Sequence, residues 1–349
     1  MALSNVARTC LELVATPSEY GDETLIADLV QGRIASIGVR HQRLGNAIVA
    51  RIGGEGDAVA LVGHLDTVPN WEGGEAHVDG GRIVGRGSAD MKGGDAVMLA
   101  LLETRLTAPQ PVVFLFYDRE EGPNQNNGIH AVLRDATLIG DVSFAVVLEP
   151  TSNTVHAGAV GTLNADVVYS GRLAHSARPW EGSNAITNAA AALKRFAART
   201  EQPIDVDGLR FHDTISITMA HAGTARNVVP DRFALAVNVR VAPGRSLDEA
   251  RREVEALAGD GCVVTWLDES PPAPPGTAHP AVRRFIDTTG VAVHPKQAWT
   301  DVATLHHAGI PAINFGPGDS SQAHQRGEYV TIAALETCQA LLGRYLESR

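Results

Sequence analysis

The sequence predicts an α/β protein in which a mainly parallel sheet has helices on both faces and is interrupted by an inserted α+β unit. Three observations predict it. Helical and strand patterns alternate through the first half of the chain, and its short, valine-rich apolar runs are typical of strands buried on both faces. The middle of the chain instead follows the order β-α-β-β-α-β. With 349 residues, 44% of them hydrophobic, the chain is long enough for two packed domains.

Capping residues and apolar runs predict the helices and strands of the first half of the chain. Ser4 can cap a helix that ends near Ala15, and Asp22 and Glu23 can open a second helix that ends near Gly38. The predicted buried strands are residues 59–62, 112–116 and 144–148, with residues 312–315 as a late strand. Residues 93–106 carry apolar side chains at helical spacing between the first two of these strands.

The middle segment predicts a ferredoxin-like unit. Its elements are a strand at 163–169, a helix at 184–198, strands at 214–220 and 233–241, a helix at 247–258 and a strand at 262–267. The proline-rich residues 270–276 are typical of an extended linker back to the first domain. We therefore expect one domain from residues 1–161 and 273–349, with residues 162–272 inserted, and an exposed strand edge or helix face of the insert that supports dimerisation.

Charge and composition exclude several classes of protein. The net charge of −11 disfavours nucleic acid and anionic membrane surfaces as partners, since both would repel the chain. No apolar run approaches the length of a membrane span, and the first residues lack a signal-peptide pattern, so we expect a cytoplasmic protein. The three cysteines, Cys10, Cys262 and Cys338, are too far apart to suggest a ligand pair and are expected in the core.

Histidines and carboxylates follow the predicted strands. His64 and Asp66 come directly after the first, and Asp66 could accept the second N–H of the imidazole so that the other nitrogen faces a metal. The remaining candidates are Asp90 in the glycine-rich residues 85–94, the pair Glu120 and Glu121, Glu149, and His324. Taken alone, each of these residues is more commonly a solvated loop residue, a helix cap or a structural histidine than a metal ligand.

Together these residues predict a catalytic metal site. Several lie at carboxyl ends of buried strands, where open α/β sheets place their sites. Two histidines and three carboxylates fit two zinc ions, each with one imidazole and one terminal carboxylate, bridged by a single aspartate. The lack of cysteine ligands argues against a closed structural zinc site, so we expect open positions and catalysis.

These motifs, in this order and spacing, resemble the dinuclear zinc aminoacylase and carboxypeptidase family over essentially the whole chain. The specific segments are residues 64–69, 85–94, 120–122 and 149–150 together with His324. The resemblance implies two Zn²⁺ per subunit, with Co²⁺ able to substitute, and a cis peptide between Asp90 and Met91. It implies that one metal is bound by His64 and Glu149 and the other by Glu121 and His324, that Asp90 bridges them, that Glu120 is the general base and that Asp66 orients His64.

The resemblance extends to the inserted domain, which it implies is a lid and dimerisation domain. His175 resembles the lid histidine of the family, which implies that it acts in the active site of the other subunit of a homodimer. Asn227 and Arg240 match lid positions that contact substrate, and Arg178 is a further candidate; both arginines are also compatible with ordinary surface or ion-pair roles.

The implied activity is hydrolysis of the N-acyl bond of an acylated amino acid. Residues 174–186 resemble the desuccinylases of actinobacteria, which act on N-succinyl-LL-diaminopimelate in lysine and diaminopimelate biosynthesis. Acetylornithine or another acyl amino acid or dipeptide is the alternative substrate. A non-catalytic metal- or peptide-binding homologue is the alternative of another class, and Glu120 argues against it, because a binding protein needs the ligands but not the base.

Overall fold

The computed structural model describes residues 3–72, 74–104 and 108–348, which fold into two compact units. The first unit comprises Met1–Ala157, Gly276–His294 and Thr304–Arg349, and the second comprises Gly158–Pro275 and Pro295–Ala303. The assignment of these units as catalytic and lid domains stays a prediction. No helix in the described part of the chain is long and apolar enough to cross a membrane.

The elements are numbered along the chain. The helices are α1 (Asn5–Ala15), α2 (Thr24–Ser36), α3 (Lys92–Glu103), α4 (Ile129–Arg134), α5 (Ala136–Ile139), α6 (Ala185–Asn188), α7 (Ala190–Ala198), α8 (Leu247–Ala258), α9 (Pro280–Thr289), α10 (Val302–His307) and α11 (Ile332–Glu347). The strands are β1 (His41–Leu44), β2 (Ala47–Ile52), β3 (Ala58–His64), β4 (His77–Asp79), β5 (Arg82–Val84), β6 (Val112–Tyr117), β7 (Val142–Val147), β8 (Val155–Ala157), β9 (Gly161–Ser170), β10 (Ala174–His175), β11 (Gln202–Val206), β12 (Leu209–Ala222), β13 (Val228–Val229), β14 (Arg232–Val241), β15 (Cys262–Ser270), β16 (Val293–Pro295), β17 (Ala312–Asn314) and β18 (Tyr329–Thr331).

The first unit is built on an eight-stranded sheet in the order β1-β2-β6-β3-β7-β17-β8-β16. Its centre is parallel, because β3 pairs in parallel with β6 and β7, and β7 with β17. The strands β1, β2 and β8 add antiparallel neighbours that the sequence analysis did not predict. The α/β fold with a mainly parallel central sheet is confirmed.

Strands β3 and β6 and the helix α3 between them consist largely of apolar residues because they are buried on all sides. Every residue of β3 and of β6 is buried. Helix α3 is buried from its first residue, Lys92, through Leu102, as expected for a helix packed on all sides. It ends at Glu103, and Leu106 of the predicted helix lies outside the described residues. Four aromatic rings, Phe144, Phe285, Phe315 and Tyr345, pack together beside this sheet.

The second unit has a five-stranded antiparallel sheet in the order β11-β12-β14-β9-β15. Strands β9, β12, β14 and β15 with their two helical segments form the predicted β-α-β-β-α-β arrangement. Alternate residues of β14 are buried, and they pack with Ala192, Phe196, Ala250 and Val254 of the helices into one core. The single helix predicted at 184–198 is two helices, α6 and α7.

The hairpin formed by β11 and β12 was not predicted. Strand β12 begins at Leu209, well before the expected strand, and pairs with β11 across the turn at Asp207 and Gly208. Both turn residues have positive φ, 51° and 78°. An Asp-Gly pair is a strong signal for such a two-residue hairpin turn, so the sequence did contain the evidence.

A buried ion-pair network holds the helices of the second unit to its sheet. The Asp213 carboxylate on β12 accepts hydrogen bonds from Arg199 at 2.5 Å and from Arg245 at 2.7 Å. Both arginines also donate to Glu253 on α8, at 2.9 and 2.5 Å. Asp213 itself is fully buried. The network therefore connects β12 with the ends of α7 and β14 and with α8.

We expect Asp213→Ala to destabilise the second unit by about 1–3 kcal/mol, because Arg199 and Arg245 lose their buried acceptor and keep only Glu253 as a carboxylate partner. Hydrogen exchange of the β12 and β14 amides in urea measures this change. The matched control is Asp205→Ala, which breaks an exposed pair with Arg210 in the same unit and should leave the exchange unchanged. Equal exchange in the two variants would contradict the prediction.

Candidate metal centre

The first unit gathers its predicted site residues at the carboxyl ends of neighbouring strands. His64 is the last residue of β3, and Glu120 and Glu121 follow β6. Glu149 follows β7, which pairs with β3 on its other side. Because these strands are parallel, their carboxyl ends lie at one edge of the sheet, where α/β proteins form their sites.

The His64 ring is nearly fully buried and has a defined orientation. Its Nδ1 lies 3.0 Å from the carbonyl oxygen of Asp66, so Nδ1 carries a proton that it donates to this oxygen. Its Nε2 then faces carboxylates, with Asp90 Oδ1 at 3.3 Å and Glu149 Oε1 at 3.8 Å. Burial alone would lower the pKa of His64, but its hydrogen bonds to the aspartates raise the pKa well above the ordinary value.

The Asp90 carboxylate lies between the two predicted histidine ligands. Its Oδ1 is the atom 3.3 Å from His64 Nε2, and its Oδ2 lies 3.8 Å from His324 Nε2. One oxygen therefore faces each imidazole, as a bridging carboxylate requires. The peptide bond between Asp90 and Met91 is cis, which confirms that expectation.

His324 faces Glu121 on the other side of Asp90. Its Nε2 lies 3.0 and 3.1 Å from the two carboxylate oxygens of Glu121. The hydrogen bond to Glu121 raises the pKa of His324, against the opposing effect of burial. His324 has a φ of 62°, in the left-handed region that few residues other than glycine adopt. The loop geometry, and not a regular element, aims this ring at the carboxylates.

This donor set fits a divalent metal ion. Ligand atoms of His64, Asp90 and Glu121 all lie within 4.8 Å of one another. Imidazole nitrogen and carboxylate oxygen are ligands that zinc accepts at catalytic sites. Cys10 and Cys338 are buried, and burial raises the pKa of both thiols, which disfavours the thiolate form that binds metal.

Asp66 lies beside His64, as the sequence analysis predicted, and it also makes contacts that the sequence analysis did not predict. Its carboxylate lies 3.5 Å from His64 Nδ1, a longer contact than that of its own carbonyl oxygen. The same carboxylate accepts hydrogen bonds from the backbone N–H groups of Glu120 and Glu121, at 3.0 and 2.9 Å. Asp66 thus fixes the loop that carries two other predicted site residues, besides lying next to His64.

The loop after β6 has an unusual backbone around the predicted base. Arg119, just before Glu120, has a φ of 61°. At Gly122 any side chain would collide with the ring of Tyr20. The Glu120 carboxylate is partly buried, and its negative charge also contributes to raising the pKa of His64. The loop therefore holds Glu120 beside the candidate ligands.

Two glycines, Gly93 and Gly94, allow the first turn of α3 to pack closely against the segments that carry candidate ligands. A Cβ at Gly93 would collide with the carbonyl oxygen of Ser88, and one at Gly94 with that of Leu148. These contacts bring the segments that carry Asp90 and Glu149 against the first turn of α3. Lys92 is buried in this turn and donates to the carbonyl oxygen of Thr16 at 2.8 Å, and burial lowers its pKa to about 8.

The remaining predicted residues lie in the second unit. His175 on β10 pairs with Val228 on β13, and the Ser176 amide donates to the carbonyl oxygen of Asn227. The loops that carry His175 and Asn227 are therefore joined. His175 Nδ1 accepts a hydrogen bond from the Ala177 amide at 3.0 Å, which leaves the proton on Nε2 of the neutral ring.

The two predicted arginines differ in their surroundings. Arg178 is exposed and lies 3.6 Å from Glu181, an ordinary surface pair. Arg240 lies on β14 between Thr162 and Thr214 of the neighbouring strands. Burial lowers the pKa of Arg240, and no carboxylate of the described residues forms an ion pair with it. Arg240 thus differs from Arg178, which is exposed and has an acidic neighbour.

Known proteins resemble the chain over nearly its whole length. It is 36% identical over 338 residues to a Mycobacterium tuberculosis protein provisionally named as a succinyl-diaminopimelate desuccinylase, with 96% of each chain covered. It is 34% identical to the succinyl-diaminopimelate desuccinylase of Corynebacterium glutamicum, covering 96% of this chain and 94% of that one. It is 30% identical to the acetylornithine deacetylase of Myxococcus xanthus, covering 96% and 95%.

Solved structures share the fold. A tripeptidase from Staphylococcus aureus superposes with a TM-score of 0.79 at 20% identity, covering 99% of this chain and 98% of that one. An M20 family metallo-carboxypeptidase from Sulfolobus solfataricus gives a TM-score of 0.77 at 15% identity, covering 99% of each. The model of peptidase family M20/M25/M40 matches residues 60–348. With the fold and the relatives in agreement, the chain belongs to the peptidase family M20/M25/M40.

Proposed function

We propose that this M20 family hydrolase removes the succinyl group from N-succinyl-LL-diaminopimelate, with two zinc ions in the first unit. The observation that carries the proposal is the position of Asp90 between His64 and His324. Each histidine is accompanied by a further carboxylate, Glu149 or Glu121. Two equivalent ligand sets that share one carboxylate are the arrangement expected for a two-metal hydrolase.

These contacts support the proposed ligand assignment. His64 and Glu149 would bind one zinc ion, and Glu121 and His324 the other, with one Asp90 oxygen for each. Co²⁺ has similar ligand preferences and could substitute for zinc. When bound, the two ions would polarise the amide carbonyl and lower the pKa of water at the site.

Glu120 is the proposed general base. Its carboxylate would take a proton from water as that water attacks the amide carbonyl carbon, and would then deliver the proton to the nitrogen of the departing amine. The C–N bond breaks, and the products are succinate and LL-diaminopimelate. Asp66 supports this role indirectly, because its carboxylate holds the Glu120 backbone amide.

His175 is the proposed donor to the oxygen that becomes negatively charged during attack. Its tautomer favours this role, because Nδ1 is occupied by the Ala177 amide and the free Nε2–H can donate. In this proposal the second unit is a lid and dimerisation domain, and His175 of one subunit completes the active site of the other. Closure of the lid after substrate binding would assemble the site.

The substrate assignment rests on the relatives and on lid residues. Two relatives that are 34–36% identical carry the name succinyl-diaminopimelate desuccinylase, which favours the succinylated substrate and a place in diaminopimelate and lysine biosynthesis. Such a substrate bears several carboxylates, and Arg240, together with Asn227 and Arg178, could donate to them. Deacetylation of acetylornithine is the second candidate, favoured by the relative that is 30% identical.

A kinetic comparison of the two substrates tests the assignment. We expect the zinc-loaded protein to hydrolyse N-succinyl-LL-diaminopimelate with a kcat/KM at least about 10²-fold above that for N-acetylornithine, because donors placed for the extra carboxylate would stay unpaired with the smaller acyl group. Protein carrying Glu120→Gln, assayed in parallel, controls for a contaminating hydrolase. A reversed preference would favour the deacetylase, and no turnover of any acyl amino acid or dipeptide would favour a non-catalytic homologue.

A further inference from the structure

Glu328 is a buried carboxylate that binds the loop carrying Asp90. Its Oε1 accepts hydrogen bonds from the backbone N–H groups of Ala89 and Asp90, at 3.0 and 3.1 Å. Its Oε2 accepts from the Gly87 amide at 3.1 Å and from Arg86 Nη1 at 3.0 Å. Only 1% of Glu328 is exposed. Four N–H groups therefore converge on one carboxylate, and one of these groups is the backbone N–H of Asp90.

Arg86 extends this connection to two more loops. Its Nε donates to the carbonyl oxygen of Pro69, in the loop that follows His64, at 3.2 Å. Its Nη1 donates to the carbonyl oxygen of Gln325, the residue after His324, at 3.3 Å, as well as to Glu328. The Trp71 ring covers the guanidinium at 4.7 Å. One buried ion pair thus joins three loops, namely the loop that follows His64 and the loops that carry Asp90 and His324.

We propose that Glu328 and Arg86 are positioning residues that hold these three loops in the spacing the metal ions require. The inference rests on the proposed two-metal centre, and it adds residues that bind neither metal nor substrate. Carboxylates and arginines just outside a metal site often fix the orientation of its ligands. Here they fix the loop backbones, with the carboxylate of Glu328 as the common acceptor.

The geometry explains why a carboxylate is required at position 328. Both oxygens accept, and each accepts two N–H groups. A glutamine would have to place its NH₂ group against two of these N–H donors, which would leave both without an acceptor. Glu328→Gln therefore preserves size but should release either the 86–87 or the 89–90 part of the loop.

Hydrogen exchange of the metal-free protein tests the positioning directly. We expect either the Gly87 amide or the Ala89 and Asp90 amides, whichever face the NH₂ group, to exchange about 10–100-fold faster in Glu328→Gln, the change that corresponds to losing a hydrogen bond to a charged acceptor. The matched control is Glu103→Gln. The Glu103 carboxylate also accepts from an arginine, Arg33, and from Asn5, but it lies at the far end of α3. Exchange at residues 87–90 should be unchanged in this control.

Metal binding is the second measurement. Titration with Zn²⁺ against a competing chelator should give an affinity about 10–100-fold weaker for Glu328→Gln, and within about twofold of the wild type for Glu103→Gln. Thermal unfolding of the metal-free proteins separates this effect from loss of the fold. The proposal is wrong if Glu328→Gln folds, protects the amides of residues 87–90 from exchange as the wild type does, and binds zinc with unchanged affinity.

Arg86→Lys provides the test if Glu328→Gln fails to fold. A lysine can pair with Glu328 but cannot reach the Pro69 and Gln325 carbonyl oxygens at the same time, so zinc affinity should fall while the Gly87, Ala89 and Asp90 amides stay protected. Unchanged affinity would overturn the proposal. Hydrogen exchange of the loop amides is measured without metal or substrate, so its result does not depend on the proposed reaction. If the wild type bound no zinc, the two-metal proposal would fail while the exchange measurement still tested the role of Glu328.

Discussion

Glu120→Gln is expected to keep its bound metal and to lose about 10²–10⁴-fold in kcat, the usual contribution of a general base. The amide has the size of the carboxylate but cannot accept a proton from water. The backbone N–H of Glu120, which binds Asp66, is unaffected by the change, so the loop should stay in place. Metal content by elemental analysis and steady-state kinetics measure the two properties separately.

The neighbouring residue supplies the matched control. Glu121→Gln makes the same chemical change one residue later, but at a predicted ligand that faces His324. It should lower zinc affinity, and its activity should recover partly when excess zinc is added. Excess zinc should not rescue Glu120→Gln. Near-normal turnover by metal-loaded Glu120→Gln would remove this residue from the role of base.

Mixing two inactive variants is expected to restore activity if His175 acts across a dimer. His175→Ala alone should lose about 10²–10³-fold in kcat, as expected for removal of one oxyanion donor. In a mixed dimer with Glu120→Gln, one site has an intact Glu120 and receives an intact His175, whereas the other site has both defects. With equal amounts and free exchange of subunits, about a quarter of all sites should be intact.

The controls for this experiment are each variant incubated alone under the same exchange conditions. Native mass spectrometry should show the mixed dimers, since the two variants differ in mass. A mixture that contains mixed dimers but has no more activity than its components would mean that His175 acts within its own chain or has no catalytic role.

The parallel core and the location of the cluster could be predicted because both depend on local patterns. Strands that are buried on both faces consist of short apolar runs in the sequence. The sequence analysis predicted β3, β6 and β7 from such runs. A side chain that directly follows a parallel strand must lie at the carboxyl edge of the sheet. His64, Glu121 and Glu149 therefore come together for reasons that are visible in the sequence.

The contacts that depend on distant loops could not be predicted. Glu328 lies 238 residues after Asp90, and no periodicity or spacing relates the two positions. The double contact of Asp66 with the Glu120 and Glu121 amides depends on the backbone of a loop from another strand. The edge strand β1 has mixed exposure, so its pattern did not resemble that of the buried strands. The first four residues of β2 are buried and apolar, so this strand could have been recognised from the sequence.

The order of the strands in the central sheet also bears on how the chain folds during synthesis. Strand β17 lies between β7 and β8 in the sheet, although the whole five-stranded sheet of the second unit comes between β8 and β17 in the sequence. Domains generally fold as units while the ribosome extends the chain. All strands of the second sheet leave the ribosome before β17 does. The second unit can therefore be complete while the first still has a gap in its sheet, into which β17 must insert.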